Sequence, residues 1–165
     1  MKLLEYNARF GDPEAMNILP LLKTDFLDIC IAIIEGTLDL LNIEFERKAT
    51  VCKYVVPKAY GLPADSPDAR STSSRIEIGN VGTARLYYSS VDQKADGLYM
   101  TSSRAIGVVG VADLLEEAEA IAEKGIAAIT GPVDHRPDIG TWPLLEKRIK
   151  HVKDIKSKID WEERP

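Results

Sequence analysis

Near the start of the chain, Leu3-Leu4-Glu5-Tyr6-Asn7-Ala8-Arg9-Phe10-Gly11-Asp12-Pro13-Glu14 sets polar and apolar residues in alternation. Side chains of a β-strand point to opposite faces with a period of two. Glu5, Asn7 and Arg9 would therefore share one face, and Leu4, Tyr6, Ala8 and Phe10 the other. A carboxylate beside a carboxamide oxygen is hard-oxygen ligation. It suits Mg2+, which takes few protein ligands and keeps waters and substrate phosphates for the remaining positions. Arg9 adds a planar fork for a phosphate or a carboxylate. The row can act as a metal-and-anion site, and the same alternation also describes a half-solvated edge strand with no ligand.

The elements that must position this row follow from the rest of the chain. Its 165 residues, 45% of them apolar, suffice for one domain or two small ones with a real core. Twenty-one Lys and Arg against 26 Asp and Glu give a net charge of −5, which speaks against nucleic acid as a partner. No apolar run approaches the roughly 18 residues of a membrane-spanning helix, and the N-terminus lacks the pattern of a signal peptide. Cys30 and Cys52 sit apart in apolar surroundings and read as buried thiols rather than a zinc pair or a disulfide. These features suit a cytoplasmic protein.

Asp12-Pro13 predicts a helix start, with Asp12 as N-cap and Pro13 in the first helical position. Pro20 bends or ends that helix. Asp25 caps a second helix through Glu35 that Gly36 closes, and its apolar residues on every side predict deep burial. Thr37 to Leu41 suits a further short turn of helix. Strands are expected at 49–56, 75–78, 83–91, 97–101 and 105–111, with turns at 79–82 and 92–96 joining antiparallel hairpins. The Pro-rich stretch 57–71 reads as an exposed loop. Asp113 is placed as the cap of an amphipathic helix ending at Gly131-Pro132, with Glu116, Glu117, Glu119 and Glu123 outward. Thr141 to about Ile159 forms a last helix with an apolar side (Leu144, Leu145, Ile149, Val152, Ile155) and a Lys-rich solvated face. The class is α+β: helices after the opening strand, then a mostly antiparallel sheet with flanking helices.

The ten residues Glu5-Tyr6-Asn7-Ala8-Arg9-Phe10-Gly11-Asp12-Pro13-Glu14 resemble the second metal-binding strand of the ATP-grasp ligases, and within them the phosphoribosylamine–glycine ligase family. Ala49-Thr50-Val51-Cys52, Gly97 to Thr101, Ser102-Ser103-Arg104-Ala105-Ile106-Gly107-Val108 and His135-Arg136-Pro137-Asp138-Ile139-Gly140 lie in the family's order, so the resemblance reaches to about residue 140. The Lys-rich last helix is similar to archaeal members. Two departures stand out. Tyr60-Gly61-Leu62-Pro63 occupies the place of the family's Gly-Gly-Tyr-Pro, and Ser102-Ser103-Arg104 that of Gly-Gly-Arg.

The resemblance implies a division into residues 1–47, the C-terminal part of an ATP-grasp domain, and 48–165, the family's C-terminal domain. It implies ATP-dependent ligation of glycine to 5-phosphoribosylamine through glycyl phosphate, giving glycinamide ribonucleotide, ADP and phosphate, a step of purine synthesis. Glu5 and Asn7 would then ligate Mg2+ (or Mn2+), and Arg9 would serve the transferring phosphoryl group or the acyl phosphate. Gly11, Asp12 and Pro13 would shape the adjoining loop. Arg104 would line the cleft towards the cofactor, or else make a structural ion pair. His135 and Arg136 are read as turn-stabilising, and His151 as a surface residue. Phosphoribosylamine–glycine ligases also carry an N-terminal domain and an ATP-clamping lid that have no counterpart here. The chain alone is therefore expected neither to turn over nor to bind ATP tightly, and to need that missing part in cis or in trans. The alternatives are a non-catalytic interaction module derived from such a ligase and an unrelated small α+β ligand-binding domain.

Overall fold

The computed structural model describes residues 8–63 and 73–157. Helix α1 (Glu14–Ile18) runs into a 3-10 turn, Leu19–Leu21, which contains Pro20. Helix α2 (Phe26–Glu35) begins at Asp25, whose carboxylate accepts from Leu27 N at 2.8 Å, and ends on Gly36 in the left-handed conformation (φ 70°). A 3-10 turn at Leu38–Leu40 follows. The chain then returns alongside residues 21–24, held by Lys23 N to Glu44 O (2.9 Å) and Glu46 N to Leu21 O (2.7 Å).

Among the described residues eight strands follow or interleave with the later helices: β1 (Ala49–Pro57), β2 (Ser74–Ile78), β3 (Arg85–Tyr88), β4 (Val91–Lys94), β5 (Gly97–Met100), β6 (Ile106–Ala112), β7 (Ile129–Thr130) and β8 (Val133–Asp134). Helix α3 (Leu115–Ala127) lies between β6 and β7, and α4 (Trp142–Ser157) closes the described chain. The strands form two four-stranded sheets, in the orders β3-β6-β1-β8 and β4-β5-β2-β7, with every pairing antiparallel. The class is α+β, as expected.

The longest ladder, β1 with β6, pairs Ala49 with Ala112 through Val55 with Ile106. Its alternation gives the first sheet two distinct faces. Val51, Lys53, Val55, Ile106, Val108 and Gly110 face α3 and the core. Cys52, Tyr54, Gly107 and Val109 face α1. The core joins Val55, Ile106 and Val108 of one sheet to Ile76 and Met100 of the other, with Ile126 and Ile129 closing it. A side chain on Gly110 would come within 1.8 Å of the Ala118 carbonyl, so α3 packs directly on bare backbone there. On the opposite face Gly107 makes room for the Met16 sulfur of α1, and Thr50 Oγ1 donates to the Asn17 carbonyl at 3.1 Å.

Several local expectations are corrected. Ala8 to Phe10 are not in a strand, and residues 1–7 of the opening stretch lie outside the described residues, as does 64–72 of the Pro-rich loop. Asp12 does not cap α1. Pro13 occupies the cap position without a side-chain hydrogen bond, and the Asp12 carboxylate turns to the sheet instead. Asp113 does not cap α3, whose N-cap is Leu114; Asp113 lies 3.6 Å from Lys48. Residues 92–94 belong to β4, so only Ala95-Asp96 turn between β4 and β5. Gly131 (φ 136°) ends no helix but carries the chain from one sheet to the other between β7 and β8. Helix α2 is not buried: only Ala32 is, while Leu27 is 65% and Ile34 85% exposed. The long α4 buries none of its residues either. Cys52 is buried and Cys30 half-buried, and both are free thiols.

The Gly110 contact sets a test. Gly110→Ala should lower stability by about 3 kcal/mol, because helix backbone rather than a flexible side chain blocks the added methyl group. Gly36→Ala, strained in φ but facing open space, should cost about 1 kcal/mol. Urea unfolding followed by circular dichroism ranks the two, and equal losses would contradict the close approach.

Candidate functional site

Glu5 and Asn7 lie outside the described residues, so the structure places only the third member of the opening row. Arg9 is exposed, and its Nη1 donates to the Phe10 carbonyl at 2.7 Å. The Phe10 ring leans on Phe26 of α2, with centroids 6.1 Å apart. Phe10 also helps line an apolar cleft of about 300 Å3 with Ile18, Leu22, Phe26, Ile29 and Phe45. Among the described residues no group of three His, Cys, Asp or Glu side chains could hold a metal ion.

Immediately after Arg9 the chain meets the first sheet. The Tyr54 hydroxyl, on the α1 face of β1, donates to the Asp12 carboxylate. Arg104 approaches from the loop between β5 and β6. Its Nη1 donates to the Asp12 carbonyl at 3.3 Å and stands 3.6 Å from the Asp12 carboxylate. The guanidinium also lies over the Tyr54 ring, 5.4 Å from the centroid. Its loop is pinned, because Ser90 N donates to the Arg104 carbonyl (3.0 Å) and Ala105 N to the Val55 carbonyl (2.9 Å). The electrostatics follow from this packing. The Tyr60 hydroxyl and then Asp12 raise the Arg104 pKa further. Burial first, and Asp12 second, push the Tyr54 hydroxyl well above the usual phenol range. Burial chiefly, with Asp12 adding, pushes the Cys52 thiol up to about 12, so it stays protonated and inert. Arg104 thus makes an ion pair with Asp12, three residues beyond Arg9. Its remaining donors and its 40% exposed side chain leave it able to meet an anion as well.

A second polar centre escaped sequence reasoning. Lys53, 1% exposed, extends from β1 towards α3. Its ammonium donates to Glu119 Oε1 (2.6 Å), Glu123 Oε2 (2.6 Å) and the Pro137 carbonyl (2.9 Å), which uses all three protons. His135 Nε2 meets Glu123 Oε1 at 2.9 Å. Glu119 and Glu123, expected to face outward, instead turn in to neutralise the buried cation. His135, read from the sequence as turn-stabilising, instead ties the start of its turn to α3 through Glu123, whereas Arg136 grips Asp138 within the turn through two hydrogen bonds of 2.7 and 2.9 Å. Burial pushes the Glu123 carboxyl up, but hydrogen bonds from Lys53 and His135 outweigh it and hold the group below its ordinary value. The missed signals were a lysine inside the Val51/Lys53/Val55 alternation and two glutamates four residues apart beside Ala118 and Ala122.

No protein-family model matches the chain. Individual proteins do. A phosphoribosylamine–glycine ligase of Methanococcus maripaludis (strain S2) is 53% identical over 155 residues, covering 93% of this chain and 34% of that ligase. The ligase of Methanococcoides burtonii is 50% identical, with 94% and 34% covered. That of Methanosarcina acetivorans is 48% identical over 155 residues. The chain therefore spans about a third of the length of the curated relatives it matches. The crystal structure of phosphoribosylamine–glycine ligase from Thermotoga maritima superposes with a TM-score of 0.63 at 22% identity, over 82% of this chain and 32% of that one, a likeness of fold.

The Lys53 centre makes a measurable prediction. Lys53→Met should cost about 2–3 kcal/mol, less than the loss of a fully buried pair because the two carboxylates keep some solvent. Glu123, with its folded pKa lowered from 4.5, contributes stability that is complete above the unfolded value and fades as pH falls through the folded one. Denaturant titrations should therefore show wild-type stability dropping as the pH falls below 4.5, with a shallower drop in Lys53→Met. Parallel profiles would count against the arrangement.

Proposed function

Because this chain belongs to the phosphoribosylamine–glycine ligase family, we propose that it furnishes the C-terminal third of an enzyme that joins glycine to 5-phosphoribosylamine with ATP. In that reaction ATP transfers its terminal phosphoryl group to the glycine carboxylate. The phosphoribosylamine nitrogen then attacks the acyl carbon, and phosphate leaves with formation of glycinamide ribonucleotide. The observation that carries this reading is identity near 50% along 93–94% of the chain with enzymes of that name. We also place the boundary between the end of the ATP-grasp domain and the C-terminal domain at residues 47 and 48.

In this reading Glu5 and Asn7 hold Mg2+ or Mn2+, and the donor set suits such an ion: a carboxylate and a carboxamide oxygen with no soft ligand in the row. The metal would neutralise charge on the ATP phosphates. Arg9, exposed beside the Asp12 turn, meets the transferring phosphoryl group or the acyl phosphate, where a positioned cation acts on developing charge. Arg104 lines the cleft towards the nucleotide while its Asp12 contact fixes the turn beyond Arg9. Activity requires the part of the ligase that this chain does not contain. The apolar surface left open on α2 supports that requirement, since a helix apolar on all sides belongs in an interior.

The test combines the chain with a polypeptide carrying the preceding two thirds of a relative and assays glycinamide ribonucleotide formation with Mg2+. Ligation should appear only in the mixture. Glu5→Ala or Asn7→Ala should cut it by about 100-fold, and Arg9→Ala should lower kcat by about 10²–10³. Binding without turnover, unaffected by Glu5→Ala and Asn7→Ala, would favour a non-catalytic interaction module derived from such a ligase.

A further inference from the structure

Between Arg9 and helix α1 the chain makes a turn whose conformation decides where the Arg9 guanidinium lies. Two side chains of that turn are anchored. Phe10 leans on Phe26 of α2, and Asp12 reaches the first sheet. Asp12 serves the sheet although α1 begins close by and goes without a side-chain cap. Its two carboxylate oxygens are divided: Oδ1 accepts from the Tyr54 hydroxyl, and Oδ2 faces Arg104 Nη1 at 3.6 Å. The two partners are not equivalent. Arg104 also bonds the Tyr60 hydroxyl and lies over the Tyr54 ring, so Asp12 is one of several calls on its guanidinium. The Tyr54 hydroxyl is committed to Asp12. The register partner of Tyr54 on β6 is Gly107, so no side chain stands directly opposite the ring on that face. A phenylalanine would fill the same space. The hydroxyl alone serves Asp12.

We propose that Tyr54 is a positioning residue for Arg9, holding the Asp12 turn in place while Arg104 turns to an anionic group of the substrates. The identity of those substrates, and the role of Arg9 towards them, rest on the ligase reading above. The division of the Asp12 oxygens is what allows the arrangement. When Arg104 swings to a phosphate or a carboxylate, it gives up Oδ2 and the Asp12 carbonyl, 3.3 Å from Nη1. Oδ1 keeps its donor throughout. Without the Tyr54 hydroxyl that swing would leave the Asp12 side chain unheld, and the turn would hang on Phe10 and the first turn of α1. Arg9 would then sample more positions, and a cation that must meet developing charge loses effect when it is not held in advance. The bond also crosses the boundary proposed at residues 47 and 48. Tyr54 lies on the first strand after it and Asp12 in the part before it. One hydroxyl thereby sets Arg9 in register with the domain that carries Arg104.

Two measurements test this, one on the 165-residue chain and one on its mixture with the preceding two thirds of a relative. In the chain alone, Tyr54→Phe should keep the circular dichroism spectrum, because the ring remains. Hydrogen exchange should speed up about tenfold at the Ala15 and Met16 amides, the order expected when one hydrogen bond to a charged group is lost. Those amides bond the Gly11 and Pro13 carbonyls on either side of Asp12. Amides of the β1–β6 ladder should keep their wild-type rates, which separates a loosened turn from a loosened fold. In the mixture, Tyr54→Phe should lower kcat for ligation about tenfold with KM for glycine unchanged. In an Arg9→Ala background the same change should have no further effect, because Tyr54 acts through Arg9, whereas a general defect would add to the loss. Unchanged exchange at Ala15 and Met16 overturns the proposal. So does wild-type kcat in Tyr54→Phe, or a tenfold loss that persists without Arg9. An inactive wild-type mixture overturns the ligase reading and with it the role of Arg9, while exchange in the chain alone still decides whether Tyr54 holds the turn.

Discussion

The seven-residue ladder between β1 and β6 is the constraint on which the other arrangements depend. Both faces of this sheet are occupied, so neither strand can slip by one residue without exchanging the environments of all its side chains. One face must meet a helix at backbone distance, which fixes Gly110 against Ala118. The other must admit α1 and the Asp12 turn, which fixes Gly107 beneath Met16 and Tyr54 beneath Asp12. A single register thereby decides where a buried cation sits and where the turn after Arg9 is caught.

The two polar centres answer to different physics. Lys53 has no water to turn to, so its ammonium needs a full set of acceptors, and α3 and the turn before Ile139 supply them. That centre binds three elements together and is saturated. The centre at Asp12 is open to solvent on one side. Tyr54 and Arg104 hold a carboxylate there, yet the guanidinium keeps unused donors and a solvent-facing edge. Saturation suits a structural role, and spare capacity at a charged rim suits contact with an anionic ligand. The sheet thus separates a saturated cluster from one with donors to spare.

Fold class and most element positions were legible in the sequence because they rest on local rules. The caps at Asp25 and Gly36, the strand expected at 49–56 and the α3 periodicity follow from propensity and spacing alone. Errors arose where a side chain had a better distant offer. Asp12 and Asp113 look like caps, yet Tyr54 and Arg104 claim the first and Lys48 lies beside the second. Glu119 and Glu123 look outward on a helical wheel, but a lysine 66 and 70 residues away in sequence draws them in. Of the candidate row only Arg9 falls among the described residues, so the pairing of Glu5 with Asn7 rests on residue type and order.

Burial of α2 failed as an expectation for a different reason. An all-round apolar helix states a demand for cover without naming the surface that meets it. Within the described residues only Ala32 is buried, and Phe10, Ile18 and Phe45 enclose one side as an open cleft. Helix α4 presents the reverse case, a charged helix whose apolar stripe is narrow and equally uncovered. Exposed apolar area of this extent on a small domain carries a standing cost in water of about 25 cal/mol for each Å2 that could be removed. The α2 face in particular asks for the cover that the proposed function assigns to the rest of the ligase.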